Sequence, residues 1–184
     1  MHMNRLLASS PALLLVVALL WLPACSGTRS VITSKGLHGI ELGGEMPAAG
    51  ARRYKGYAMQ DSLAEEAEFT WRVARLKVKG GAVYVESDFM DREQVNRIRI
   101  ESAELHLRNG LAVGKVVEDL RLAANDWAIV PLKAYRVFDF YSRKFPGVHF
   151  IVDDPAHPME EEDWQKYQAA DFSSTAKIAA IVVY

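Results

Sequence analysis

Cys25 is the only cysteine in this 184-residue chain. An intrachain disulfide is therefore excluded, and the fold must be held by apolar burial, for which a half-apolar composition supplies the material. Neither charge is in excess: 22 Lys and Arg stand against 23 Asp and Glu. A nucleic-acid partner calls for a concentrated basic face, so none is expected. Arg92, Arg97 and Arg99 are interleaved with Asp91, Glu93 and Glu101, the pattern of a solvated strand face. Apolar runs are short. The unbroken run Ala12 to Leu22 falls below the roughly 20 helical residues needed to cross a bilayer. Also missing are a Gly-x-Ser-x-Gly elbow, a phosphate-binding glycine loop and a His-Glu-x-x-His helix. A Ser-His-Asp triad needs no proximity in sequence, yet nothing singles out a serine. No cofactor and no catalytic residue can be named, and a non-enzymatic role is the favoured expectation.

What is present begins with an address. Arg5 supplies a positive n-region, Ala12 to Leu22 an apolar core, and Pro23-Ala24 a small-residue approach to a cleavage point, the layout of a secretory signal peptide over residues 1–24. Leu22-Pro23-Ala24-Cys25 resembles the lipobox of bacterial lipoproteins. In that pattern Leu22 takes the apolar position, Ala24 the small residue before the cut, and Cys25 the thiol that receives a diacylglyceryl group. A lone unmodified cysteine in an oxidising compartment would be an exposed liability, which favours lipidation. Several acyl chains make anchoring essentially permanent, whereas one gives marginal attachment. Ser26, where an aspartate would favour inner-membrane retention, implies the periplasmic face of the outer membrane. Residues 25–30 then form the lipidated cysteine and a short polar tether.

Residues 31–184 suit one domain and are too short for two comfortable ones. Short apolar segments at Val31-Ile32, Leu37, Ile40 and Leu42, broken by Gly36, Gly39, Gly43 and Gly44, predict short strands and tight turns. A loop is predicted over residues 46–60, and Asp61-Ser62-Leu63-Ala64-Glu65 carries the Ser-x-x-Glu pattern of a short helix. Phe69, Trp71 and Val73 alternate with polar residues, and Leu76 and Val78 resume in the opposite phase, predicting a strand bulged near Ala74-Arg75. Lys79-Gly80-Gly81 predicts a hairpin, followed by strands over 82–86, 95–100 and 103–107. Val116, Val117, Leu120, Ala123 and Ala124 fall at helical spacing. Strands near 127–130, 135–141 and 148–152, a helix over 160–170 and a closing strand over 177–184 complete the reading. The fold class expected is mainly β, an antiparallel sandwich-like single domain with one to three short helices. Lys35-Gly36-Leu37 with Gly39-Ile40 is echoed by Asn109-Gly110-Leu111 with Val113-Gly114, which leaves open two related halves or a coincidence of turn glycines.

The lipobox, the Gly36 to Ile40 segment and Asn-Gly-Leu-Ala-Val-Gly at Asn109 to Gly114 together resemble the small RpoE-regulated lipoproteins of proteobacteria. That resemblance implies a mainly-β domain in an envelope-stress setting, and it brings no catalytic residues with it.

One constellation has the donors for metal chemistry. His149, Asp153, Asp154 and His157, with Glu160, Glu161, Glu162 and Asp163 beyond, offer imidazole and carboxylate ligands, and would serve a periplasmic metal-dependent hydrolase. Asp153-Asp154-Pro155 is also a turn, and the acidic run a solvated helix start, which is the favoured reading. His38 and His106 are isolated. Trp71, Trp127 and Trp164 with Phe138, Phe140, Tyr141 and Phe145 can line a cleft or simply build a core. Tyr135, Arg136, Tyr141, Arg143 and Lys144 form a candidate grip for a glycan or anion. The partners expected are the membrane, through Cys25, and an envelope protein, glycan or lipid.

Overall fold

A computed structural model of the chain describes residues 31–37, 39–51, 57–159 and 167–184. The leader, Leu22, Ala24, Cys25 and the tether lie outside the described residues, as do His38, Trp164 and the acidic run from Glu160 to Asp163.

The polypeptide opens with three two-residue strands, β1 (Val31–Ile32), β2 (Gly36–Leu37) and β3 (Ile40–Glu41). Four long ones follow as a meander: β4 (Ala58–Glu66), β5 (Phe69–Val78), β6 (Gly81–Ser87) and β7 (Val95–Ser102). After β8 (His106–Leu107) comes helix α1 (Val117–Ala123). A second meander is built from β9 (Ala128–Leu132), β10 (Val137–Tyr141), β11 (Val148–Asp153) and β12 (Lys177–Val183). The meanders join into one eight-stranded antiparallel sheet in the order β4-β5-β6-β7-β12-β11-β10-β9. The seam is the pairing of Ile100 with Ile181 and Arg99 with Val182. β1 lies parallel to β8, Val31 opposite His106 and Ile32 opposite Leu107. The short strands that precede the two glycine-turn segments echoing each other in sequence thus lie side by side, each ahead of a four-stranded meander.

Paired residues in an antiparallel sheet share a face. One row, Met59, Leu76, Val83, Ile100, Ile181, Phe150, Phe140 and Ile129, consequently crosses all eight strands on the inner side. From Leu76 to Ile129 every member is buried. Each large side chain so buried contributes about 1.5–3 kcal/mol. A second layer covers this face: Ile32, Leu37, Ile40, Met46, Leu107, Leu111, Val117, Leu120 and Phe172 belong to the same core cluster. The domain is sandwich-like in this sense, a large sheet under a layer of short strands, turns and one helix. The opposite, outer face carries Arg75, Tyr84, Arg99, Val182, His149 and Tyr141.

Three local expectations are corrected, and a fourth lies mostly outside the described residues. Asp61 to Glu65 is strand, not helix, because β5 gives β4 a complete partner from Ala58 opposite Lys77 to Glu66 opposite Phe69. A five-residue helix cannot compete, since nucleation costs more than so few bonds return. The same ladder places 58–60 in β4 rather than in a loop. β5 has no bulge at Ala74-Arg75, since its register with both neighbours is unbroken there. Its change of phase arises because Ala74 and Leu76 serve the inner core while Phe69, Trp71 and Val73 point outward. Of the helix expected over 160–170, residues 160–166 lie outside the described residues, and the rest holds a single 3-10 turn at Ala169–Asp171. The hairpin between β5 and β6 is as expected. Gly80 has φ of 74°, and a Cβ on Gly81 would stand 1.9 Å from the Glu101 carbonyl oxygen, so glycine is required there.

Candidate functional site

Where β5, β6 and β7 run past the edge of the core, their outward positions bear large and charged side chains. Trp71 pairs with Ala64, while Glu86 lies between Val73 and Arg97 in the next row. Trp71 donates its indole N–H to Glu86 Oε2 at 3.2 Å, and Arg97 donates Nε–H to the same oxygen at 3.0 Å. Arg97 Nη2 also contacts that carboxylate oxygen. Glu86 is buried at 8% exposure. Burial alone would lower the Arg97 guanidinium, but the hydrogen bond and charge of Glu86, with Tyr184, outweigh it and hold the group above its ordinary value. The pair is a neutralised polar floor.

Aromatic walls rise around it. Phe69, at the start of β5, meets Phe89 from the β6–β7 loop edge-on at 4.9 Å. Tyr184 follows β12, its backbone N–H donating to Gly147 at 2.9 Å and its ring set edge-on to His149 at 4.8 Å. Together with Trp71 these rings enclose a groove of about 470 Å³, whose lining also includes Ser87 and Asn96. Phe69, Phe89 and Tyr184 are each close to half exposed. The loop that carries Phe89 is braced locally. Ser87 Oγ donates to the Asp88 carbonyl and accepts from the Arg72 N–H, and Asp88 Oδ1 accepts from the Met90 N–H at 2.6 Å. Flat apolar faces beside a planar acid, amide and guanidinium are suited to binding a ring-shaped, hydroxylated ligand.

Arg97 therefore does not belong to an ordinary solvated face as expected, whereas Arg99, paired with Glu101 and half exposed, does. The signal for the groove lies in the outward phase of Phe69 and Trp71, which alternation alone reads only as one face of a strand.

The residues proposed for metal chemistry do not converge. His149 is on the outer face, its Nδ1 hydrogen-bonded to Asp139 at 2.9 Å and its ring stacked on Tyr141. Asp153 is exposed, opposite Lys177. Asp154 is buried and accepts from the Ala156 and Ser173 N–H groups, the turn role. His157 lies across the sheet from His149, stacked on Phe172 at 4.3 Å and edge-on to inner-face Phe138. Two imidazoles on opposite faces cannot share an ion, so His149, Asp153 and His157 are not assembled as one ligand set. Among the described residues no three acidic, histidine or cysteine side chains group as metal ligands. His106 is half-buried on β8.

Other aromatic candidates prove structural. Phe138 and Phe140 are fully buried, and Trp127 packs on Phe140, Phe145 and Phe150. The set Tyr135, Arg136, Tyr141, Arg143 and Lys144 does not form one grip. Tyr135 sits exposed in a 3-10 turn, Arg143 pairs with Asp126, and Lys144 bonds the Ala123 carbonyl.

With the geometry established, comparison adds a structural relative. The chain is similar in fold to the crystal structure of the uncharacterized protein YfeY from Escherichia coli. The TM-score is 0.61 at 11% identity, and the alignment covers 83% of this chain and 98% of that one. At that identity the likeness extends to the fold alone. No family model matches the sequence, and no curated protein matches it.

Proposed function

We propose that this chain is a periplasmic lipoprotein of the outer membrane, anchored through Cys25, that binds a glycan and does not transform it. Support for the anchor is the lipobox-like Leu22-Pro23-Ala24-Cys25 after an apolar leader. The mainly-β single domain implied by the resemblance to RpoE-regulated lipoproteins is the architecture found, in keeping with a role in envelope maintenance under stress.

The observation that carries the binding reading is the set of exposed rings over a floor already in charge balance. Because Glu86 and Arg97 satisfy each other, an ionic ligand would have to compete with an existing pair, while a neutral one meets open Trp71, Phe69, Phe89 and Tyr184 faces. A sugar ring has an apolar C–H face for stacking and hydroxyls for the polar groups at the floor. The test is co-sedimentation of the purified protein with isolated cell-wall sacculi. Wild type should pellet and Trp71→Ala remain in the supernatant with an unchanged melting temperature. Equal pelleting of both would place any glycan contact elsewhere, and no pelleting of wild type would remove the glycan reading.

A further inference from the structure

A second concavity, of about 750 Å³, lies in the layer that covers the inner face, on the other side of the sheet from the aromatic groove. Ile32 of β1 forms part of its wall, and α1 flanks it. Leu122 stands on the flank of α1 away from buried Val117 and Leu120, and is 80% exposed. Beside it are half-buried Phe145 and three exposed cations, Arg108, Lys115 and Lys144. None of the three forms an ion pair among the described residues, and Lys144, whose Nζ donates one hydrogen bond to the Ala123 carbonyl, keeps its charge unbalanced. The acid in this wall, Asp119, is occupied at the start of α1, where it accepts the Val116 N–H at 3.1 Å. An exposed leucine ringed by cations is the composition of a surface that meets anionic phospholipid.

Position favours the same partner. Cys25 precedes Val31 by six positions. A link of that length reaches at most about 20 Å even when fully extended. Val31 pairs with His106 at the edge of this concavity, so an acyl group on Cys25 would hold this side of the domain within reach of the bilayer.

We infer that the Leu122 concavity is the membrane-docking face of the anchored domain, with Arg108, Lys115 and Lys144 receiving the phosphates of anionic phospholipids and Leu122 entering the headgroup boundary. The inference rests on the lipid-anchor reading. Contacts this few would bind weakly from solution, but tethering raises their effective concentration and makes them sufficient. The domain is then held with the outer sheet face, and its aromatic groove, turned away from the membrane.

The experiment uses the anchored protein, purified in detergent and reconstituted into vesicles. A lipid on Cys25 blocks its thiol, so Leu122→Cys provides the single free thiol for an environment-sensitive fluorophore. In phosphatidylethanolamine vesicles containing phosphatidylglycerol, the expected result is blue-shifted emission that bromolipids quench. A label at Arg75→Cys, on the outer face, should stay unquenched. Adding Arg108→Glu and Lys115→Glu should return the Leu122→Cys emission to its value in water. Aqueous emission from Leu122→Cys on vesicle-bound protein, regardless of anionic lipid, would overturn the docking face and leave the anchor intact. Thiol labelling of the wild-type chain would overturn the anchor, and the docking face with it.

Discussion

Trp71 and Arg97 donate to one and the same oxygen, Oε2 of Glu86, at 3.2 and 3.0 Å. The carboxylate therefore sets the plane of the indole and the position of the guanidinium together. A single side chain organises the groove.

Glu86→Gln keeps an acceptor of the same shape and removes the charge that balances Arg97. Because the Arg97 side chain remains 38% exposed, the expected loss is modest, about 1 kcal/mol. Chemical denaturation of the single variants and of Glu86→Gln with Arg97→Met should show a coupling of that order. Strict additivity would mean that the pair is not held as described.

The tip of the β4–β5 hairpin places Ala67 at φ of 53°, left-handed backbone that disfavours a side chain. Ala67→Gly should raise stability by about 1 kcal/mol, read as an upward shift of the denaturation midpoint at constant slope. Since Ala67 also lines the groove, the variant serves as a control in which a groove residue changes without loss of an aromatic wall.

Asp126 is held below the ordinary carboxylate range chiefly by the Ser142 hydroxyl; burial opposes this as the next-largest effect, and the backbone N–H groups of Arg143 and Asp126 with the charge of Arg143 add to the lowering. A carboxylate lowered on folding adds stability above its unfolded value, and that contribution is lost as pH falls through the folded one. Ser142→Ala should move the Asp126 titration upward in a carboxyl-detected NMR series and shrink the acid-side slope of stability. An unmoved titration would show that the hydroxyl does not set it.

Cys25→Ser removes the thiol that would carry the lipid. The expected outcome is protein that leaves the membrane fraction or remains with its leader uncut, shown by fractionation and intact mass. Unchanged processing and membrane association would refute lipidation at this residue.

The alternation of apolar residues made most of the sheet legible, because burial of one face imposes a period of two. β6, β7, β11 and β12 lie close to where the pattern placed them. β4 was hidden. As an edge strand reaching beyond the core it has an exposed Leu63 and an acid-rich sequence that imitates a helix start, and only its pairing with β5 reveals it. The groove was hidden for a related reason. Alternation identifies the two faces of β5 but not which neighbours each face meets, and Glu86 and Arg97 come from strands 15 and 26 residues further on than Trp71. His149 and Asp139 met for the same reason, by lying diagonally across paired strands.

The most direct measurement of the central claim is a titration of the isotope-labelled protein with N-acetylglucosamine oligomers, observed at the indole and guanidinium N–H resonances. The expected result is that the Trp71 indole and Arg97 Nε signals shift together and saturably, while the core-packed Trp127 indole stays still. Saturable shifts elsewhere with Trp71 and Arg97 unmoved, or no shift at any indole, would contradict the account.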